Sequence, residues 1–381
     1  MTTAVAPSGP ELELAPAEAD APPALRAVHT PGFPDLLRRI GSSLLVTTYQ
    51  AGKLVMVRGE GDRLNTHFRT FPAPMGMALD GDRLAVGTSM QVWEFVNVPA
   101  VAAKLDQPGR HDACYLPRSC HVTGNIQVHE MAWGAGRELW VVNTRFSCLC
   151  TIDPSASFTP RWRPPFVTAL EPTDRCHLNG LAMVDGRPKY VTALGEADAP
   201  AGWRANKARG GVVLDVDSGE VITRGLSMPH SPRWHGGRLW VCESGAGTLG
   251  FVDPNTGKYE PIAQIPGFTR GLEFAGNLAF VGLSQVRESA VFSGLPITER
   301  LAAEERTCGV CVIDVATGQA VALLRFDTGV HEVFAVAVLP GQRYPDLIND
   351  DPKLLENSFT VPDSALVDAP VSLRGAAVTT R

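Results

Sequence analysis

The sequence predicts an all-β protein folded as a six-bladed β-propeller, and three observations carry this prediction. Short β-rich runs recur with a period of about 50 residues, which is typical of four-stranded propeller blades. The 381 residues include 37 glycines and 30 prolines, and long helical periodicity is nearly absent. The two ends of the chain also carry complementary parts of one repeat, as expected when sheets close into a ring.

The first half of each repeat has the pattern strand, turn, strand. The first strand is expected in MGMAL (75–79), HEMAW (129–133), NGLAM (179–183), HSPRW (230–234) and RGLEF (270–274), with a sixth copy in HEVFAVAVLPG (331–341). The second half is marked by turns rich in Asp and Gly that suit hairpins, as in VLDVDSGEV (213–221) and FVDPNTGKY (251–259). We number the blades one to six from the copy that starts at Met75.

The sixth repeat contains only its first strand, whereas residues 43–74 supply three strands that lack a first. Pairing the two ends completes blade 6 and removes the free sheet edges. Two β-sandwiches in tandem are the alternative, but they explain neither the period nor the complementary ends. We therefore expect a disordered N-terminal tail at 1–29, rich in Ala, Pro and Glu, the propeller at 30–347, and a largely irregular C-terminal tail at 348–381.

Small residues recur at one position of the first strand. Gly76, Gly180 and Gly271 share this position, which indicates that neighbouring blades approach closely near the axis.

Composition limits the classes of partner and compartment. The net charge is −6 and the 34 lysines and arginines are scattered, which disfavours nucleic acid. No apolar run approaches the roughly 18 residues of a membrane span, and no secretory signal precedes the propeller, so we expect a cytoplasmic protein with reduced thiols. The pairs Cys148/Cys150 and Cys308/Cys311 lack further ligands at zinc spacing and are expected to be buried structural cysteines.

The starts of the six first strands predict a metal site. Their aligned residues are Met75, His129, Asn179, His230, Arg270 and His331. Because first strands start at one face beside the channel, His129, His230 and His331 of alternate blades would converge as a facial three-histidine site with one side open. His177, two residues before Asn179, is a candidate fourth ligand. Imidazole ligands favour iron, copper or zinc over calcium and magnesium. The alternative for each histidine is a hydrogen bond to a loop carbonyl.

Other polar residues are expected around this site. Glu130 and Glu332 would support a neighbouring imidazole, or be solvated or paired with Arg270. Arg270 and Asn179 would orient or polarise an anionic or carbonyl-bearing substrate. A substrate rim is predicted from residues that follow the second strands, with solvated loop tips as the alternative: Tyr49, Gln50, Asn143, Arg145, Glu243, Gln285 and Arg287.

Three further predictions concern turns and insertions. The insertions at 195–210 and 286–307 contain Trp203, Phe292 and Leu295 and are interpreted as lids. The stretch at about 97–127 is interpreted as a third long connection. His235 falls in a turn at the face away from the channel mouth.

The stretches HEMAWGAGRELWVVNTRFSCLC, CHLNGLAM, MPHSPRWHGGRLWV and GFTRGLEFAGNLAFVGLSQVRES resemble a bacterial family of conserved hypothetical six-bladed propellers of unknown function. This resemblance covers about 30–347 and implies the fold rather than the chemistry. The chain is more distantly similar to the gluconolactonase and strictosidine-synthase group, which implies a metal or a catalytic group at the channel mouth. Gluconolactonase-type sites use carboxylate and Asn ligands, and only Asn179 matches that pattern.

These observations together predict a metal-dependent enzyme that carries out oxidative chemistry on a small molecule or peptide. One alternative is a metal-dependent hydrolase, lactonase or isomerase. The other is a non-catalytic propeller that binds a protein or peptide on its face.

Overall fold

The computed structural model describes residues 25–285, 293–356 and 358–370, and these residues form six sheets. Each innermost strand contacts the innermost strands of the two neighbouring sheets, so the sheets follow one another around a central axis. The prediction of a six-bladed β-propeller is confirmed. In the described parts of the chain, no helix is long and apolar enough to cross a membrane.

Blades 1 to 3 each contain four antiparallel strands, which follow one another from the axis outwards. Blade 1 consists of Met77–Asp80, Arg83–Gly87, Gln91–Asn97 and Ala113–Val122, and Pro345–Leu347 adds a parallel strand at its outer edge. Blade 2 consists of Val128–Trp133, Leu139–Asn143, Cys148–Thr151 and Thr159–Trp162. Blade 3 consists of Leu178–Val184, Arg187–Ala193, Gly211–Asp215 and Val221–Leu226.

Blades 4 to 6 repeat this order. Blade 4 consists of Pro229–His235, Arg238–Glu243, Thr248–Val252 and Tyr259–Gln264. Blade 5 consists of Phe268–Ala275, Leu278–Ser284, Gly309–Asp314 and Gln319–Thr328, and Arg26–His29 pairs with its outer strand. Blade 6 consists of Ala335–Pro340, Ser42–Thr47, Lys53–Glu60 and Arg63–Thr70. The sheet of blade 6 therefore joins a strand from near the C-terminus to three strands from near the N-terminus, with Ala335 opposite Thr47.

The hydrophobic core lies between neighbouring blades. Phe280 and Leu324 of blade 5, for example, pack with Leu44 and Val57 of blade 6. A central strand therefore has blades on both of its faces, and every residue of Ser42–Thr47 is buried. This two-sided burial explains why such strands are continuous apolar runs rather than alternating patterns.

The glycines of the innermost strands sit where the next blade approaches. A Cβ atom at Gly271 would lie 2.9 Å from Ala335 Cα of blade 6, and one at Gly76 would lie 3.0 Å from Glu130 Cα of blade 2. At Gly180 a Cβ atom would clash with Pro232 of blade 4. The predicted close approach of neighbouring blades at this position is confirmed.

One helix of two turns closes the junction of blades 5 and 6. Phe33–Ile40 has Pro34 in its first turn, ends at Gly41 with φ of +62°, and buries Phe33, Leu36 and Leu37 against the core of these blades. The other helical segments described are single turns: Tyr49–Ala51, Pro99–Ala102, Ala135–Arg137, Gly202–Asn206, Pro296–Arg300, Ala303–Glu305, Pro352–Leu355 and Asp363–Leu366.

The structure corrects two boundaries. The connection expected at about 97–127 contains the fourth strand of blade 1, Ala113–Val122. The N-terminal tail expected at 1–29 ends in the strand Arg26–His29, because blade 5 offers an unpaired outer edge at Gln319–Thr328. The rest of that tail, residues 1–24, lies outside the described residues.

The cysteines are not linked by disulfides, and both predicted pairs are buried. All eight cysteines are free, and Cys148, Cys150, Cys308 and Cys311 lie in the interior. Burial raises the pKa of the Cys148, Cys308 and Cys311 thiols to about 12. A thiol of such high pKa is a weak nucleophile, which agrees with a structural role.

Asp346 links the C-terminal strand of blade 1 to blade 6. Its carboxylate accepts a hydrogen bond from Arg69 Nη2 at 2.8 Å and lies 3.8 Å from Arg58 Nη2. The Nε2 atoms of His67 and His111 are each 3.6 Å from its oxygens. Burial raises the pKa of Asp346, but the charge and hydrogen bond of Arg69, together with His67 and the Leu347 N–H, outweigh burial and the pKa is lowered. Asp346 is thus the counter-charge for two arginines.

We expect Asp346→Asn to lower the free energy of unfolding by about 3–5 kcal/mol, because the Arg58 side chain is only 3% exposed and would lose its buried counter-charge. Chemical denaturation measures this change. The matched control is Asp62→Asn, which removes an exposed carboxylate and should cost less than about 0.5 kcal/mol. Equal effects of the two substitutions would contradict the role given to Asp346.

Candidate functional site

A pocket lies where the innermost strands of all six blades begin. Its lining residues are Gly76, Met77, His129, Glu130, Asn179, His230, Ser231, Arg270, Phe334 and Ala335. The empty space is about 270 Å³ when the open solvent at the mouth is included, so the pocket is small. The sequence alignment of strand starts therefore locates the pocket through His129, Asn179, His230 and Arg270.

Blade 6 departs from that alignment. Its innermost strand starts at Ala335, and Phe334 rather than His331 reaches the pocket. His331 is exposed, and its Nδ1 atom lies 3.0 Å from Gln285 Oε1. The segment that enters blade 6 is three residues longer than the alignment of its HE motif with that of blade 2 implied. The predicted triad of His129, His230 and His331 is therefore not brought together.

His129 and His230 are held by the same arrangement of acceptors in blades 2 and 4. His129 Nδ1 lies 3.2 Å from the Gln127 carbonyl and 2.8 Å from Thr144 Oγ1. His230 Nδ1 lies 2.9 Å from both the Met228 carbonyl and Ser244 Oγ. Because a carbonyl only accepts, Nδ1 must carry the hydrogen in each ring. The expected alternative, a hydrogen bond to a loop carbonyl, is thus present in both histidines.

The two hydroxyls agree with this assignment because each donates its own hydrogen to a different acceptor. Thr144 Oγ1 donates to the Leu178 carbonyl of blade 3, and Ser244 Oγ donates to the Thr269 carbonyl of blade 5. Each hydroxyl therefore accepts from the imidazole. In the neutral ring, Nε2 is left with its lone pair.

A strained backbone residue produces this arrangement. Gln127 and Met228, each two residues before its histidine, have φ of +53° and +48°. His177 has φ of +52° at the equivalent position of blade 3. Non-glycine residues rarely adopt such angles, and where they do the strain is often tied to a functional site.

Both pocket imidazoles are neutral at pH 7. Burial lowers the pKa of His129 well below its ordinary value, and the neighbouring His177 and Arg270 lower it further. Burial and the charge of Arg270 likewise lower the pKa of His230. Each ring can therefore accept a proton only when a ligand stabilises the charged form.

His177 and Asp174 form a pair beside His129. His177 Nδ1 lies 2.9 Å from Asp174 Oδ2 and donates to it, because a carboxylate only accepts. Asp174 also accepts a hydrogen bond of 3.0 Å from the Trp203 indole N–H. The His177 ring centroid is 4.8 Å from that of His129 and 4.6 Å from that of Trp203. Sequence reasoning identified His177 but missed Asp174, although their spacing of three residues was available.

The two insertions form one apolar wall next to these groups. Trp203 from 195–210 packs in a cluster with Leu295 and Ile297 from the described part of 286–307, together with Met228 and Phe268. Phe292 and Arg287 lie outside the described residues.

Arg270 and the two predicted glutamates lie in ion pairs. Arg270 Nη1 donates to Glu332 at 2.9 Å, and the guanidinium carbon lies 3.6 Å from the centroid of the Phe334 ring. Glu130 instead pairs with Arg233 of blade 4 and accepts from the Leu181 backbone N–H. One alternative for Glu332, pairing with Arg270, is therefore observed, whereas Glu130 bonds across blades rather than to an imidazole.

Most other predicted site residues serve the scaffold. Asn179 uses both ends of its amide, donating to the Pro229 carbonyl and accepting from Thr192. Asn143 accepts from the Phe146 N–H, and Glu243 accepts from the Ser227 N–H. Tyr49 and Gln50 are exposed, and the Tyr49 ring centroid is 5.8 Å from that of Phe334. Arg145 is half-buried, and its side chain reaches the Asn125 carbonyl at 3.5 Å.

The two histidines of MPHSPRWHGGRLWV lie near opposite ends of one strand. His235 ends the innermost strand of blade 4, where its ring stacks on Phe274 and Nε2 donates to the Gly276 carbonyl. It is not among the pocket-lining residues.

Within the described ranges, no group of three or more His, Cys, Asp or Glu side chains is arranged to hold a metal ion.

Comparison with known proteins identifies the family of this chain. A family model described as a domain of unknown function, DUF4915, matches residues 31–348. The chain belongs to the DUF4915 family. No curated protein matches it in sequence.

Solved structures similar to this DUF4915 chain share only its fold. A chain of the nidogen/laminin complex matches with a TM-score of 0.52 and 10% identity, covering 79% of this chain and 99% of that chain. A protein of unknown function from Bacteroides caccae matches with a TM-score of 0.49 and 9% identity, covering 78% and 98%. Virginiamycin B lyase from Staphylococcus aureus matches with a TM-score of 0.38 and 14% identity, covering 62% and 71%.

The lowered pKa values of His129 and His230 predict acid sensitivity. Below about pH 6.5 the unfolded chain binds protons at these histidines that the folded chain does not, so stability falls as the pH falls toward the lowered values. The loss is up to about 1.4 kcal/mol per pH unit for each histidine. Urea denaturation between pH 7.5 and 5 should show a shallower pH slope for the double variant His129→Gln/His230→Gln than for the parent. Identical slopes would contradict the neutral state of both rings.

Proposed function

We propose that this propeller is an enzyme that transfers protons to and from a small molecule in the channel pocket, with hydrolysis of an ester or lactone as the simplest reaction. The observation that carries the proposal is that Nδ1–H of both His129 and His230 donates to a backbone carbonyl and a hydroxyl. These hydrogen bonds leave an Nε2 lone pair on each ring, which is the form a general base needs.

Asp174 and His177 supply the oriented base of this proposal. The His177 ring is not among the pocket-lining residues but lies against His129, which is one of them. Asp174 holds Nδ1–H, so Nε2 of His177 can take a proton from an attacking water while the carboxylate stabilises the imidazolium that forms. The water oxygen bonds to the carbonyl carbon, and the proton then passes to the departing alkoxide, which leaves as the alcohol. His129 and His230 would donate or accept hydrogen bonds at the substrate oxygens as their rings change protonation.

A metal-dependent, oxidative enzyme is the second candidate. Its support is that Nδ1–H of His129, His177 and His230 each meets a carbonyl or a carboxylate, the second partner that metal-ligating histidines commonly have. A transition metal would require the three Nε2 atoms to turn toward one point. Iron, copper and zinc all accept imidazole ligands.

A non-catalytic propeller that binds a protein or peptide is the third candidate. Against it, the histidines and Arg270 are recessed in a pocket rather than displayed on the outer face.

Free thiols on all eight cysteines support a reducing compartment such as the cytoplasm as part of the proposal.

Hydrolysis of p-nitrophenyl acetate tests the proposal. We expect the protein to accelerate hydrolysis, and His177→Gln to lower the rate by about 100-fold, the contribution of one positioned base. The matched control is His235→Gln, which removes an imidazole away from the pocket and should leave the rate unchanged.

Metal analysis of the same preparation separates the candidates. After growth with iron, copper and zinc available, we expect less than stoichiometric metal and a rate that survives dialysis against a chelator. One equivalent of metal that is lost in His129→Ala and His230→Ala would overturn proton transfer in favour of the metal enzyme. Equal rates for the parent and His177→Gln would overturn the proposed roles of His177 as base and of Asp174 as its partner.

A further inference from the structure

Arg270 is a buried cation with hydrogen-bonding capacity to spare. Its side chain is 11% exposed, and its Nε atom is buried without a hydrogen-bond partner among the described residues. A guanidinium has five N–H donors, and leaving a buried donor unpaired is costly. The unpaired Nε belongs to a residue that lines the pocket.

The residues around Arg270 restrain its guanidinium but leave the Nε–H donor without a partner. The Phe334 ring, with its centroid 3.6 Å from the guanidinium carbon, holds the plane of the group by a cation–π contact. Glu332 takes the hydrogen bond from Nη1. A planar fork that is held in place on one side is suited to a second planar, bidentate partner.

Charge in the pocket favours an anionic partner. The carboxylate of Glu130 is already paired with Arg233 and with the Leu181 N–H. His129 and His230 are uncharged at pH 7 because burial lowers their pKa values. Glu332 is not among the residues that line the pocket, so Arg270 contributes the charge that a bound molecule meets there.

We propose that the pocket binds a small carboxylate through the guanidinium of Arg270, and that Glu332 competes with this ligand for the guanidinium. The proposal rests on the proposed function, since it names the substrate class of the same site. The empty space of about 270 Å³ includes the open solvent at the pocket mouth, which limits the ligand to a small acid.

Calorimetric titration with benzoate and acetate, against benzamide and acetamide as neutral isosteres, tests this assignment. We expect the acids to bind at least about tenfold more tightly than the amides, because a charged hydrogen bond is stronger than a neutral one. Arg270→Met should weaken benzoate binding by about 100-fold. Arg270→Lys, which keeps the charge and loses the fork, should fall between Arg270→Met and the parent.

The decisive variant is Glu332→Gln. Removal of the competing carboxylate should tighten benzoate binding about threefold to tenfold, opposite in sign to the effect of Arg270→Met. A pair that served only the fold would weaken binding or leave it unchanged in both variants. Circular dichroism establishes that each variant is folded, and Glu332→Gln keeps the test available if Arg270→Met does not fold.

The outcomes separate this inference from the proposed function. Equal affinity for acids and amides, or weaker benzoate binding in Glu332→Gln, overturns the carboxylate assignment. Hydrolysis of p-nitrophenyl acetate, a neutral ester, measures the contribution of His177. A protein that binds benzoate but does not accelerate this hydrolysis would overturn only the hydrolytic proposal.

Discussion

The fold and the pocket depend on one repeated hydrogen bond, from a side-chain hydroxyl at the end of the second strand of a blade to a backbone carbonyl of the next blade. Thr47 Oγ1 donates to Met75 at 2.6 Å between blades 6 and 1, and Ser284 Oγ donates to Val333 at 3.0 Å between blades 5 and 6. Thr144 and Ser244 do the same from blades 2 and 4. These carbonyls lie at the buried starts of innermost strands, where an unpaired acceptor would be costly.

In blades 2 and 4 the same hydroxyl has a second task. Since its hydrogen is used between blades, its lone pair accepts Nδ1–H of His129 or His230 and sets the tautomer of that ring. Blade 3 replaces the direct bond with a relay, in which Thr192 donates to Asn179 and Asn179 donates to the Pro229 carbonyl of blade 4. The chemistry of the pocket is thus built from groups that already hold adjacent blades together.

The features that a regular repeat encodes could be predicted from the sequence. The strands, the close approach at Gly180, and the convergence of His129 with His230 all follow from one alignment of the repeats. The failures occurred where a blade departs from the repeat. His331 was misplaced because the segment entering blade 6 is three residues longer, and Asp174 was missed because it acts through His177 from an irregular loop. Arg26–His29 pairs with a distant outer strand, which no local pattern reveals.

The central claim is that inter-blade hydroxyls hold two neutral imidazoles with their hydrogens on Nδ1. Nitrogen-15 NMR of histidine-labelled protein at pH 7 observes each ring nitrogen directly, and His129→Gln and His230→Gln assign the signals. The structure predicts the Nδ1–H tautomer for both rings in the parent, and a Ser244→Ala variant in which only the His230 signals shift. Charged rings, or hydrogens on Nε2, would contradict the account.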